Sequence, residues 1–159
     1  MTTEPIAPDP QDVAELERRV ALKAVLVQNL LGNRIATEVP GGAEIQAQVQ
    51  VAPGATTVDY QLTLSCSLKS AQDASASVAE LAVTVVAHYS LQEGRELAEP
   101  VFSAFGDQAI QVLWPYASQH IHDIASRLGY PGVIVGPLRR ADNLEGLAGL
   151  APLGVTMRA

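Results

Sequence analysis

His120, His122 and Asp123 form the one cluster in this sequence whose side chains suggest a catalytic or metal site. On a helix, side chains two residues apart point about 200° apart, whereas a helical pair of zinc ligands needs a spacing of four. The two histidines therefore cannot hold one metal ion, and we interpret the cluster as a solvated helix surface.

The other candidates for proton transfer or nucleophilic attack are His88 and Cys66. His88 lies on the polar side of a predicted strand without a nearby acidic residue in the sequence, which is typical of a surface histidine. Cys66 falls on the apolar side of its strand, whereas a reactive thiolate needs a positively charged or helix-terminal setting. The loop from Gly132 to Gly136 lacks the lysine of a phosphate-binding loop. We therefore expect no enzymatic activity, no metal and no cofactor.

The elements that carry these residues begin after a tail. Residues 1–10 contain three prolines and predict a flexible segment. Residues 11–19 show the apolar spacing of a helix, which Asp9 or Asp12 could cap. Residues 21–37 are ambiguous, because their apolar positions fit both a strand and a continuing helix.

Three segments of strict apolar–polar alternation follow a break at residues 40–42. Alternation over such lengths predicts strands that are apolar on one face. The short connections indicate an antiparallel meander, whose apolar face needs a cover. The segments are residues 44–51, 58–69 and 81–91.

The cover is predicted to be a helix with one apolar stripe. Gly129 ends this helix and Pro131 prevents it from resuming, while Pro115 marks either a kink or the first turn. The stripe comprises Ile110, Trp114, Ala117, Ile121, Ile124 and Leu128.

The composition and charge indicate a globular protein with one domain and limit its partners. Apolar residues make up 48% of the 159 residues, enough for one α+β domain, which we place at residues 11–140 before a loosely ordered tail at 141–159. The net charge of -7 repels phosphate backbones, so we expect no nucleic acid partner. The sequence shows no signal peptide and no apolar run that could span a bilayer, and its one cysteine suits a reducing compartment. These features predict a cytoplasmic protein that does not insert into membranes.

Five aromatic side chains fall in or beside the helical segment. Aromatic residues usually anchor a core, but they are also enriched where proteins bind other chains. They are therefore candidates both for the core and for a groove that binds apolar segments of a client. The five are Phe102, Phe105, Trp114, Tyr116 and Tyr130.

The run from Val101 to Gly106 and from Val112 to Ala117, with its Trp-Pro-Tyr-Ala sequence, resembles the SecB family of bacterial export chaperones. The similarity continues through Gly129-Tyr130-Pro131 to Pro137. In that family the long helix follows a four-stranded antiparallel sheet, which favours a strand for residues 21–37.

This resemblance implies a SecB-like α+β fold that assembles as a dimer of dimers, with the helix stripe buried in the homotetramer. It also implies a holdase, which binds unfolded polypeptides such as preproteins without ATP, and SecA as a further partner. Ser118 stands where the family commonly has arginine, and residues 82–92 lack the carboxylates that dock SecA. Residues 147–153 are broken by glycine and proline and give no counterpart to the family's second helix. These departures favour the branch that protects antitoxins in toxin–antitoxin systems.

Two other functions remain open from the sequence. One is an adaptor that binds a single folded partner. The other is a small-ligand or thioesterase-like protein on a sheet-plus-helix scaffold, although those folds usually place the long helix early. An enclosed pocket with converging polar groups would favour the second.

Overall fold

The computed structural model describes residues 7–138 and, for the backbone only, residues 153–157. The elements are α1 (Pro10–Arg19), β1 (Val20–Arg34), β2 (Pro40–Pro53), β3 (Thr57–Ser70), β4 (Ser77–Leu91), α2 (Glu99–Arg127), β5 (Val133–Val135) and β6 (Leu153–Met157). The strands form one sheet in the order β1-β4-β3-β2-β6-β5. Strands β1 to β4 are antiparallel to their neighbours and precede the long helix, so the predicted fold class is confirmed.

The N-terminal helix begins as the sequence predicts. The Asp9 carboxylate accepts a hydrogen bond from the backbone N–H of Gln11 at 2.9 Å, which caps α1. At Val20 the chain passes directly from α1 into β1. The strand interpretation of residues 21–37 is therefore confirmed as far as Arg34.

The long β1 strand lies beside β4 rather than beside β2, its neighbour in sequence. The pairing register shifts between Leu22 and Ala24 and again between Val27 and Asn29. Each shift inserts one residue into β1, so the positions that face α2 change parity twice along the strand. This is why the segment lacks the clean alternation of a regular strand.

The helix α2 is longer than the predicted stripe. It begins at Glu99, with Pro100 in its first turn, and spans 29 residues. Pro115 lies inside it, so of the two alternatives for this proline, a kink or the first turn, the first turn is wrong. The helix extends further because Phe102 and Phe105 continue the buried face towards its N-terminus, and this packing offsets the backbone hydrogen bond that Pro115 removes.

The end of α2 matches the prediction. Gly129 has a φ of 91°, the left-handed conformation that glycine adopts without strain. Its N–H donates to the Ser126 carbonyl at 3.1 Å, and the N–H of Tyr130 donates to the Ala125 carbonyl at 2.8 Å. These two bonds form a Schellman motif, which ends the helix and turns the chain back towards the sheet.

The core lies between α2 and one face of the sheet. The rings of Tyr60, Tyr89 and Phe105 contact one another, and the Tyr60 hydroxyl donates to the Phe102 carbonyl at 2.8 Å. Burial raises the pKa of Tyr60 well above its ordinary value. Within the described part of the chain, no buried side-chain nitrogen or oxygen lacks a hydrogen-bond partner.

A short extension widens the sheet beyond β2. Strand β6 lies between β2 and β5 and pairs antiparallel with both. The sequence did not predict β6, and the rest of the predicted tail at 141–159 lies outside the described residues, as does most of residues 1–10. The boundaries of the domain at 11–140 remain a prediction.

Candidate polypeptide-binding surface

Exposed apolar side chains are concentrated in residues 22–39. Of the nine large hydrophobic residues that are exposed in the described part of the chain, seven lie in this stretch. The seven are Leu22, Leu26, Val27, Leu30, Leu31, Ile35 and Val39. A contiguous exposed apolar surface usually marks a site that binds another molecule.

The first five of these residues lie on β1, and we call them the β1 edge surface. Within the described residues, β4 is the only strand that pairs with β1, so one side of its backbone is open. The register with β4 places Leu22, Val27 and Leu30 on the face that α2 packs against. It places Leu26 and Leu31 on the opposite face. The edge is therefore apolar on both faces as well as unpaired along its backbone.

The last two residues, Ile35 and Val39, lead from the end of β1 to a groove. The groove has a volume of about 330 Å³ and lies between residues 34–40 and residues 129–133. Val39 stands at its wall with 77% of its surface exposed. Its apolar lining includes Pro40, Tyr130, Pro131 and Val133, and we call it the Tyr130 groove.

Arg34 holds the two sides of the Tyr130 groove together. Its guanidinium donates to the Leu128 carbonyl at 3.2 Å and to the Ala36 carbonyl at 3.2 Å, and it lies 5.2 Å from the centre of the Tyr130 ring. The Tyr130 hydroxyl also donates to the Ala36 carbonyl, at 3.1 Å. These contacts fix the loop after β1 against the end of α2, so the groove is preformed.

The aromatic residues predicted to bind clients have different positions. Phe102, Phe105 and Trp114 are buried in the core, and the Trp114 indole N–H donates to the Gly136 carbonyl at 2.9 Å. Their surfaces are therefore not open to a client in this arrangement. Tyr116 is 50% exposed on the outer side of α2, and Tyr130 lines the groove.

The predicted helix stripe packs on the chain's own sheet. Ile110, Trp114, Ala117 and Ile121 are buried, whereas Ile124 and Leu128 at the C-terminal end are partly buried. The buried part of the stripe contacts β3 and β4 of the same chain, so it offers no surface to a second protomer here. The sequence could not separate these two uses of one apolar stripe.

The side chains suited to chemistry do not assemble into a site. His122 Nδ1 lies 2.9 Å from the Val133 carbonyl, which links α2 to β5, and no group of three metal-ligating residues occurs in the described part of the chain. Cys66 is buried, which raises the pKa of its thiol to about 12. His88 has no acidic neighbour in the sequence, but the sheet register places Asp59 of β3 opposite it, with Oδ1 of Asp59 2.5 Å from Nδ1 of His88.

A second cleft, of about 600 Å³, lies at the N-terminal end of α2. The two arginines in its lining are already bound: Arg95 pairs with Asp12 and Glu15, and Arg19 pairs with Glu15 and donates to the Gln92 carbonyl at 3.0 Å. The cleft therefore has no free converging cations that would hold an anionic substrate.

None of the helices in the described residues is both long enough and apolar enough to cross a bilayer.

No protein-family profile and no curated protein matches the chain. Among solved structures, it is similar to the Mycobacterium tuberculosis SecB-like chaperone Rv1957, determined in complex with a ChAD peptide from the Rv1956 HigA1 antitoxin. The TM-score is 0.74, and the match covers 82% of this chain and 98% of that chain. The chain has the SecB-like fold. At 14% sequence identity the similarity establishes the fold alone, and it confirms at that level the resemblance seen in residues 101–137.

The β1 edge surface was missed by the sequence reasoning, although a signal for it exists. Residues 20–31 carry apolar side chains at both odd and even positions, which made the segment look equally like a helix. A strand that is apolar at both parities is either fully buried or is an edge that binds another chain. The polar strands that follow show that the sheet is buried on one face only, which favours the second case.

Proposed function

We propose that the chain is an ATP-independent chaperone, a holdase that binds unfolded polypeptides. The observation that carries this proposal is the preformed apolar Tyr130 groove, which Ile35 and Val39 extend with exposed side chains. Such a surface can bind apolar side chains of another polypeptide without reading a sequence. The SecB-like fold supports the same function.

The Tyr130 groove is the proposed site for client side chains. Its apolar lining would remove a client's hydrophobic side chain from water, at roughly 25 cal/mol for each Å² of apolar surface buried. Val39 and Ile35 extend this surface towards β1, and Arg34 keeps the groove open before a client arrives. A preformed site loses little conformational entropy on binding, which favours affinity for the client.

The β1 edge surface is the proposed site for a second copy of the chain. A long apolar edge is an aggregation hazard unless it is paired, and antiparallel pairing of two β1 strands would satisfy a two-fold axis. The result would be a dimer with a continuous sheet. Two dimers would then form the homotetramer, with the outer side of α2 near Tyr116 as their contact.

The identity of the client is a finer proposal. The Rv1957 structure contains an antitoxin peptide, and residues 82–92 of this chain lack the carboxylates expected for docking SecA. Both points favour protection of an antitoxin in the cytoplasm over general export of preproteins. A dedicated antitoxin client would also agree with the adaptor alternative, because one partner would then dominate.

The test compares the affinity of the chain for the native and the unfolded state of one client protein. Fluorescently labelled α-lactalbumin, either native or permanently unfolded by reduction and carboxymethylation, is titrated with the chain, and anisotropy is measured without ATP. We expect saturable binding to the unfolded form and none to the native form. Binding to neither would contradict the holdase, and tight binding to a single antitoxin alone would establish the adaptor instead.

A further inference from the structure

The N-terminal helix α1 is a thin cover on the rest of the fold. It packs mainly on α2, where Glu17 of α1 accepts a hydrogen bond from Nε2 of Gln108. Leu16 is the only buried residue of α1, and Val13 is partly buried. The apolar contact that holds α1 in place is therefore small, because it depends on one whole side chain and part of a second.

Helix α1 also forms part of the wall of the second cleft, which we call the Arg95 cleft. Arg19 of α1 lines this cleft together with Arg95. The apolar lining includes Leu91, Leu97 and Phe102, and each of these side chains is more than nine-tenths buried. The cleft therefore presents little apolar surface while α1 is in place.

More apolar surface lies on the side of α2 that α1 covers. Val101, Phe105 and Gln108 follow one another at spacings of four and three, so they lie along one side of the helix. Because Gln108 contacts Glu17, α1 passes over this side, where Val101 and Phe105 are buried. Movement of α1 would therefore expose apolar surface next to Phe102 of the Arg95 cleft.

A clamp of charged side chains holds α1 down. The Arg95 guanidinium binds both Asp12 and Glu15 of α1, with its Nε 2.8 Å from Oε2 of Glu15. Arg19 donates to the carbonyls of Gln92 and Arg95, at 3.0 and 2.9 Å. The Arg95 side chain is 54% exposed, so water and salt screen its ion pairs and each contributes little. A clamp of this kind orders α1 but can open without a large loss of free energy.

We propose that α1 is a displaceable lid over a second binding site for unfolded polypeptides, formed by the Arg95 cleft and the covered side of α2. This proposal rests on the proposed holdase function and adds a site at the end of α2 remote from the Tyr130 groove. Helix α1 itself indicates which partner fits, since it is a short segment that places one apolar side chain, Leu16, on this surface. An apolar segment of a client would take the place of Leu16, and α1 would cover the surface again after the client leaves.

Loosening the clamp tests the lid in the full-length chain. Asp12→Asn with Glu15→Gln removes both carboxylates that bind Arg95. The matched control is Asp107→Asn with Asp123→Asn, which removes the same charge from α2. These two residues form no ion pair in the described part of the chain, and they line neither the Arg95 cleft nor the Tyr130 groove. The probe is fluorescent, carboxymethylated α-lactalbumin, and its affinity is measured for both variants and for the unmodified chain.

We expect the clamp variant to bind the probe about threefold more tightly than the control, because the lid is open in a larger fraction of its molecules. Equal or weaker binding by the clamp variant would overturn the lid while leaving the holdase intact. Absence of binding by the clamp variant, the control and the unmodified chain would overturn both proposals.

A covalent lock tests the opposite direction. Glu17→Cys with Gln108→Cys places two thiols where side chains of α1 and α2 meet, and a short bismaleimide can join them. Native Cys66 is buried and can stay. The comparison is the same variant with both new thiols capped by N-ethylmaleimide. We expect the crosslinked protein to bind the probe about threefold more weakly than the capped protein, because its lid cannot open. Equal affinity of the two would contradict displacement of α1 by the client.

Hydrogen exchange measures the displacement itself. The helical hydrogen bonds of α1 protect the backbone amides of residues 14–19 in the free chain. We expect these amides to exchange at least about threefold faster when the chain is saturated with the probe, whereas those of β3 in the centre of the sheet should not change. Unchanged or slower exchange in α1 would show that the helix stays in place and would overturn the proposal.

Discussion

The two edges of the four-stranded sheet differ in what covers them. The β1 edge is long, unpaired in the described residues and apolar on both faces. The β2 edge is partly covered by β6, and its outer face carries the glutamines 46, 48 and 50. With the other edge partly covered by the chain's own strand, the proposed association of two copies would use the β1 edge. Association through one edge closes into a dimer, whereas two open edges would permit fibres.

The largest expected effect comes from placing charge on the open edge. Leu26→Asp with Leu30→Asp puts one carboxylate on each face of β1, and in a symmetric pair these charges would be repelled and desolvated. We expect the dimer dissociation constant to rise more than about 100-fold, measured by analytical ultracentrifugation. The matched control is Gln46→Asp with Gln50→Asp on the other edge, which should leave the size unchanged. A folded double variant of unaltered size would show that β1 is not the association edge.

Glycines on the two edge strands provide a second contrast. A Cβ at Gly32 of β1 would lie 2.4 Å from Cγ2 of Ile124 on α2, whereas a Cβ at Gly42 of β2 meets nothing within 4 Å. We expect Gly32→Ala to lower the free energy of unfolding by about 1–3 kcal/mol through overpacking. Gly42→Ala should change it by less than about 0.5 kcal/mol. Urea denaturation measures both, and equal stability of the two variants would mean that β1 does not need this close approach to α2.

A substitution in the Tyr130 groove should change the affinity for clients without changing association through the sheet edges. Val39→Asp adds a charge to an exposed side chain of the groove wall, so the fold and the dimer should be unaffected. We expect the affinity for unfolded α-lactalbumin to fall about tenfold. Thr56→Asp, in the exposed turn at the opposite end of β2 from the groove, controls for charge alone. If both variants bind equally well, the client site lies elsewhere.

Alkaline pH should lower the stability of the fold through Cys66, which is buried in the core between the two edge strands. Burial raises the pKa of Cys66 to about 12, above the ordinary value of 9.0, so the folded state keeps its proton where the unfolded state has lost it. The stabilising effect of this thiol is complete below pH 9 and is lost as the pH rises towards 12. Because the Cys66 thiol ionises only in the unfolded state over this range, we expect it to lower the free energy of unfolding by about 1–2 kcal/mol between pH 8 and pH 10.5. Urea denaturation of Cys66→Ala, which should lack this component, is the comparison, and an equal pH dependence of the two proteins would contradict the assignment.

The regular parts of the fold could be predicted because one signal dominated each of them. Strict alternation in residues 44–51, 58–69 and 81–91 has one physical explanation, a sheet with one buried face. The stripe after Ile110 likewise predicted a helix that covers it. The start of α2 was missed because Pro115 resembles a helix start, and the extension to Glu99 depends on packing of Phe102 against strands far away in the sequence.

The binding surface could not be predicted in the same way. The chemistry of Phe102 and of Tyr116 is similar, and only the rotation of α2 over the sheet decides that the first is buried and the second exposed. The edge position of β1 depends on its pairing with β4 rather than with β2, a long-range choice that local pattern does not encode. The pairing of His88 with Asp59 arises from register alone.

The measurement that tests the holdase most directly is light scattering from a chemically unfolded protein diluted into buffer without ATP. The chain, its Val39→Asp variant and no chaperone are compared at the same concentrations of client. The account predicts that the chain suppresses scattering and that Val39→Asp suppresses it less, while both remain folded by circular dichroism. Scattering that is unchanged by the folded chain would contradict the central claim that its exposed apolar surface holds unfolded polypeptides.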